Sequence, residues 1–306
     1  MSPRTRAFIA IIIASILWGT AGVTAKILVR DVDPFVASFY RFLIASLFIL
    51  PFFIKEQRKE HHAWKNLIPL SMLGGLNVPL YFLGIKLTTA NSATLIYTIA
   101  PLATAFFSSL LIKEIHSFRK ILGILIGFAG ALFIIVLPLI EKNHSVTGDF
   151  TGNIFVVCAM LFWTLYSIGT RHLHINNKYS PVTMTSIYFF STTFISFFFA
   201  VIFQKQFIVP ALFSPLYIGT LFYSGIFITL ITYFLYQWAI KRIGVTTASL
   251  KQYIELIVGV FLNTLFLGET ISRGFIIGAL FVILGLTIAT GSKVFFVVKQ
   301  KLFKKS

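Results

Sequence analysis

The chain has 306 residues, of which 57% are hydrophobic and only 11% charged, with 35 phenylalanines. Soluble chains are nearer a quarter charged, so this one has too little polar surface to cover itself in water and reads as an integral membrane protein. The formal net charge of +17 would suit nucleic acid, but no aromatic-interleaved basic module accompanies it, and a lone cysteine, Cys158, excludes an internal disulfide.

Apolar runs of spanning length predict ten helices, over about 7–28, 33–54, 66–86, 91–112, 119–140, 152–172, 181–204, 215–239, 246–268 and 273–293. The first follows Arg4 and Arg6, but its run from Ala7 to Ala25 outlasts a signal-peptide core and lacks a small-residue cleavage site, so it reads as a retained helix. Most connections are short and carry breakers, such as RDVDP (30–34) and NKYSP (177–181). Two polar stretches are longer, KEQRKEHHAWKN (55–66) and EKNHSVTGDFTGN (141–153). The second separates a five-helix unit at 1–140 from another at 152–293, followed by a basic tail at 294–306.

Orientation follows from the lysine and arginine bias of the connections. With the N-terminus inside, 18 of the 26 lysines and arginines fall on the cytoplasmic side and five (Arg30, Lys86, Lys142, Lys205 and Arg273) on the other. Both termini are therefore expected in the cytoplasm, and the tail KQKLFKKS reads as a topology signal near anionic headgroups. The compact loops suit a bacterial plasma membrane.

A shift of 155 residues lays YFLGIKLTTANSATLIY (81–97) over YQWAIKRIGVTTASLKQ (236–252), with Tyr81/Tyr236, Lys86/Lys241 and Ala93/Ala248 coinciding. Glu114/Glu269, Gly123/Gly278 and Gly130/Gly285 follow in the same register, and Trp18 faces Trp163 at a slightly smaller offset. Chance apolar similarity would align leucines rather than this ordered set. Five helices is an odd number, so the second unit must cross the membrane in the opposite sense. The predicted fold is all-α, with two inverted five-helix repeats around a central cavity and a substrate site at the repeat interface.

The costliest stretch is SLKQYIEL (249–256), which puts Lys251 and Glu255 four residues apart on one face of the ninth run. Each charge there costs roughly 2.5–3.5 kcal/mol on the lenient insertion scale. A self-neutralising ion pair is one reading, although Lys before Glu is the poorer order. The other gives Lys251 to a substrate carboxylate and Glu255 to a substrate ammonium or a proton. Ala248 and Gly259 on the same stripe leave room for a cavity or for close helix packing. Trp18 and Trp163 lie near the centres of the first and sixth runs, away from the usual interfacial belts. They either pack together or line the cavity and stack on a ligand.

Asn77, Tyr81, Tyr97 and Gln252 are further candidate polar lining groups, with Tyr253 beside them. Arg41 lies about eight residues from the outer end of the second run, where snorkelling outward to Asp31 or Asp33 would satisfy it, or it would serve an outer gate. Gly123-x-x-x-Gly127 and Gly274-x-x-x-Gly278 suit tight helix packing or a homodimer. The loop pair His61–His62 has no partners at metal-ligand spacing, and there is no Walker A sequence, so neither metal, other cofactor nor ATP drive is implied.

ILWGTAGVTAKIL (16–28), FYRFLIASLFIL (39–50), NSATLIYTIAPLATAFFSSLLIKE (91–114) and TASLKQYIELIVGVFLNTLFLGET (247–270) resemble the drug/metabolite transporter superfamily, in its ten-helix EamA type. The resemblance implies two inverted repeats around a cavity that passes small metabolites such as amino acids. Where the family carries an acid followed by proline in the ninth helix, Glu255 matches the acid but Leu256 replaces the proline; Pro101 stands at the equivalent place in the first repeat. The expected function is a secondary transporter or facilitator of amino acids or related zwitterions, working by alternating access. The rival cargo is nucleotide-linked, methyl-donor or lipid-linked, and a membrane-embedded transferase is a remote reading because the acids do not cluster.

Overall fold

The computed structural model describes residues 3–57, 63–112, 118–141, 148–176, 179–243, 248 and 251–290. His61, His62, Glu114 and the tail 294–306 fall outside them. Every one of the ten predicted apolar runs is helical among the described residues, and no strand occurs there. In chain order the helices are α1 (Pro3–Gly19), α2 (Ala21–Arg30), α3 (Pro34–Gln57), α4 (Ala63–Gly75), α5 (Asn77–Leu87), α6 (Ala90–Tyr97), α7 (Ala100–Ile112) and α8 (Phe118–Glu141). After the polar stretch come α9 (Phe150–Asn176), α10 (Pro181–Ile202), α11 (Pro215–Tyr223), α12 (Thr232–Ile243), α13 (Lys251–Leu267) and α14 (Arg273–Thr290). Six stretches, Thr5–Arg30, Pro34–Glu56, Lys65–Leu87, Phe150–Leu173, Pro181–Ile202 and Pro215–Ile243, are long and apolar enough to cross a membrane.

Several runs are interrupted, which the pattern of apolar residues does not announce. Leu76 separates α4 from α5 three residues before Pro79, and Thr98–Ile99 separates α6 from α7 just before Pro101. A proline lacks the N–H that would close the preceding turn, so each sits where the helix is already free to bend. Between α11 and α12 the chain runs through a π-helix, Ser224–Ile231. By contrast α13 passes through Leu256 without a break, as a residue with its N–H allows. Helix starts follow ordinary capping chemistry: Thr89, Ser180 and Ser214 each accept a hydrogen bond from the backbone N–H three residues on.

The molecule is apolar on its outer surface and carries many of its polar side chains inside, within a largely apolar core. Phe52, Leu125, Phe194, Phe213, Ile257 and Leu280 are exposed, whereas Ser38, Thr164, Ser186 and Thr229 are buried. Lipid tails solvate the first set, and internal hydrogen bonds satisfy many of the second, as a bilayer requires. The most extensive helix contacts join residues before the polar stretch to residues after it: α3 with α10, α5 with α9, α1 with α12 and α13, and α8 with α14. The last pair meets backbone to backbone. A Cβ built on Gly130 would fall 2.8 Å from the Gly278 carbonyl, and one on Gly285 would enter the backbone of Gly127. The small residues therefore serve close packing within the chain.

Candidate functional site

The sequence buries charge in α13, and the structure shows how it is held. Lys251 Nζ donates to Glu255 Oε1 at 2.5 Å, and their side chains are only 4% and 13% exposed. The ammonium also stands 4.0 Å from the centre of the Trp18 ring and 5.5 Å from that of Tyr236. Ring quadrupoles and one carboxylate thus replace its water. Gly259, on the same face, brings α13 against Thr94 and the Gly19 carbonyl, so that small residue serves packing.

Trp18 and Trp163 meet edge-on at 6.1 Å, and each also contacts Tyr233 and Tyr236 at 5.4–5.5 Å between centroids. The two rings therefore pack together, and both also line a cavity of about 110 Å³. Its other walls are Asn77, Tyr81, Tyr97, Arg41, Tyr233, Lys251 and Glu255, with Gly19, Gly22 and Ala93 supplying close-approaching backbone. Asn77 follows the break at Leu76, and its Nδ2 donates to Tyr97 Oη at 2.5 Å and to the Ala159 carbonyl at 2.7 Å. Tyr81 meets Tyr97 edge-on at 5.4 Å.

Gln252 does not belong to this set: it is buried but stands outside the cavity wall. Tyr233 does belong and was missed, as was Tyr236 beside Lys251. Tyr236 had a signal, its coincidence with Tyr81 in the internal repeat; Tyr233 had none.

Arg41 departs most from expectation. It does not snorkel outward to Asp31 or Asp33. Asp33 instead accepts from the Phe35 N–H at 2.9 Å and pairs with Lys205 at 3.4 Å, and Asp31 faces Arg30. Arg41 is 5% exposed and turns into the cavity, where its Nε donates to Thr229 Oγ1 at 2.8 Å. Depth along a helix is legible from sequence, but the direction a side chain takes depends on what its neighbours offer, and here the π-helix offers Thr229.

At the end of α13, Glu269 reaches back to the start of α6 and accepts from the N–H groups of Ala90 and Asn91 at 2.6 and 2.8 Å. It caps a helix whose dipole favours a negative charge at that end. Burial pushes its pKa above the ordinary glutamate value, against the pull of those two N–H groups and of Lys26. Asn263, two turns earlier, donates to Asn91 and Thr94 and ties the same helices together.

This arrangement has no cluster of acids or metal ligands among the described residues; it has a cavity with charged and aromatic walls contributed from both sides of the polar stretch. The model of the EamA-like transporter family matches the chain twice, over residues 5–136 and 150–291. The chain belongs to that family of membrane transporters. It is 25% identical over 259 residues to an uncharacterized transporter of Archaeoglobus fulgidus, covering 83% of this chain and 86% of that protein. A second uncharacterized transporter, from Clostridium kluyveri, is 27% identical over 294 residues, covering 92% and 91%. A WAT1-related protein of Arabidopsis thaliana is 21% identical and covers 95% of this chain and 85% of its own. A crystal structure of a protein with 18% identity superposes with a TM-score of 0.66 over 98% of this chain and 99% of that one, a likeness of fold.

Proposed function

We propose that this transporter carries small organic metabolites, amino acids or related zwitterions foremost, by alternating access of one cavity to the two sides of a plasma membrane. In this reading all ten helical runs cross the bilayer, in two inverted five-helix halves with both termini in the cytoplasm. One observation carries it: the cavity walls come from both halves, Trp18, Asn77, Tyr81 and Tyr97 from one and Trp163, Tyr233, Lys251 and Glu255 from the other. The two family matches, one on each side of the polar stretch, support the division. A site built at a repeat interface changes its access when one repeat rocks against the other. The cavity sets three charged groups, Arg41, Lys251 and Glu255, among aromatic, small and neutral polar walls, which suits a small molecule with a charged head and an apolar body.

The test is reconstitution of the purified chain in vesicles loaded with a mixed metabolite pool, with released solutes identified by mass spectrometry against empty vesicles. Selective movement of amino acids is the expected result, together with loss of movement in Lys251→Met and Glu255→Gln. Movement of nucleotide-like anions alone would overturn the cargo assignment. Unimpaired transport by both variants would remove the ion pair from the mechanism.

A further inference from the structure

The cavity holds more positive charge than it needs for its own balance. Lys251 and Glu255 neutralise each other at 2.5 Å. Arg41, which lines the same cavity, has no carboxylate within ion-pairing distance among the described residues. A guanidinium has five N–H donors in a rigid fork, and only Nε–H finds a partner, Thr229 Oγ1. The terminal nitrogens have no hydrogen-bond acceptor among the described residues, yet they are not among the buried atoms sealed without one. They open onto the cavity.

The fork is held in place with some care. Thr229 accepts from Arg41 and donates its own hydroxyl proton to the Ser224 carbonyl at 2.9 Å, five residues back, a reach set by the wider π turn. Such turns recur at functional sites because they aim a side chain the α-helix would misplace. Phe42 and Phe82 stand with their ring centres 5.7 Å from the guanidinium carbon. These contacts fix the cation but leave its charge uncompensated, in a bilayer where such a charge is expensive.

We infer that Arg41 is the anchor for a substrate carboxylate, so that this cavity takes small organic acids and amino acids and rejects the corresponding amines. The inference rests on the transporter reading above and assigns its anion subsite to Arg41 in place of Lys251. Two free terminal nitrogens in one plane match the two oxygens of a carboxylate, the bidentate pairing that arginine makes best. A phosphate dianion would call for a second free cation, and Lys251 is already taken by Glu255. Trp18, Trp163 and Tyr97 then receive the apolar remainder. A compound lacking the carboxylate would leave Arg41 unpaired and gain nothing from entering.

The test reads binding directly, independent of transport. Purified full-length protein in detergent is heated with two matched sets of probes: phenylalanine, 3-phenylpropanoate and 2-phenylethylamine, and leucine, 4-methylpentanoate and 3-methylbutylamine. The acids and amino acids are expected to raise the unfolding temperature and the amines to leave it unchanged. Arg41→Gln is expected to abolish the response, and Arg41→Lys to lose most of it for want of the fork. Thr229→Val keeps the shape of the wall and loosens only the aim of the guanidinium, and is expected to weaken acid binding about tenfold. Should Arg41→Gln fail to fold, Thr229→Val and the wild-type series still decide. Stabilisation by the amines equal to that by the acids, an unchanged response in Arg41→Gln, equal stabilisation by inorganic phosphate, or no response to either acid would each overturn the inference. Transport of a probe that survives Arg41→Gln in vesicles would sink the anchor and leave the transporter reading standing.

Discussion

Replacing Lys251 and Glu255 singly and together separates a filler from a working pair. Glu255→Gln leaves an ammonium that is 4% exposed with only two rings as partners. Losing one member of a buried pair costs about 3–5 kcal/mol, and a desolvated cation–π contact as close as that to Trp18 returns about 2 kcal/mol. The net expectation for Glu255→Gln is about 2 kcal/mol of destabilisation. Lys251→Met strands a carboxylate with no such ring beneath it, so about 3 kcal/mol is expected, the low end because Glu255 touches the cavity. The double variant removes both charges and should lie within about 1 kcal/mol of the parent, giving a coupling of at least about 4 kcal/mol. Unfolding in mixed micelles, followed by tryptophan fluorescence, measures all three. A double variant as damaged as the sum of the singles would refute the neutralising pair. The repaired double variant should fold and still fail to transport; full transport would show the pair to be a packing device.

Gly285→Ala drives a methyl group into the backbone of Gly127, where no side chain can swing away, and should destabilise by about 1–3 kcal/mol in the same unfolding assay; a silent substitution would mean the two helices stand further apart. Because the pKa of Glu269 is raised, the folded state holds that proton more tightly than the unfolded chain. Its contribution to stability is then full below the ordinary glutamate value and is lost as pH rises through the raised one. Unfolding measured across that window should show a decline that disappears in Glu269→Gln, and identical profiles would exclude Glu269 as its source. Trp18→Leu removes the ring under Lys251 and should destabilise by about 2 kcal/mol, while in the Lys251→Met background most of that cation–π share should vanish.

What the sequence revealed and what it withheld have separate physical causes. The helices were legible because a bilayer demands long apolar runs, and each of the ten runs is helical over most of its described residues, several of them with a break. Lys251, Glu255, Trp18 and Trp163 stood out because each is costly or unusual at mid-run. Arg41 was singled out for the same reason, yet its direction was misread. Its partner, Thr229, lies 188 residues away on a π turn of wholly unremarkable composition, SGIFITLI. Gln252 was drawn in by its polarity alone, and one step along a helix turns a side chain about 100° from its neighbour, enough to carry it off the wall on which Lys251 stands. The prolines at 79 and 101 did mark interrupted turns, whereas the break at Thr20 follows Gly19 and has no comparable signal.

The meeting of α8 with α14 has a mechanical side. At Gly127 and Gly285 the two backbones lie one on the other, too close for either helix to slide along its partner without losing the contact. Compliance has to be found elsewhere, at Thr20, Leu76 and Thr98–Ile99, where the regular helix is interrupted and, at the last two, the following Pro79 and Pro101 bring no N–H to the helical ladder. These points adjoin Trp18, Asn77 and Tyr97 on the cavity wall, so whatever fills the cavity presses on the molecule's softest joints.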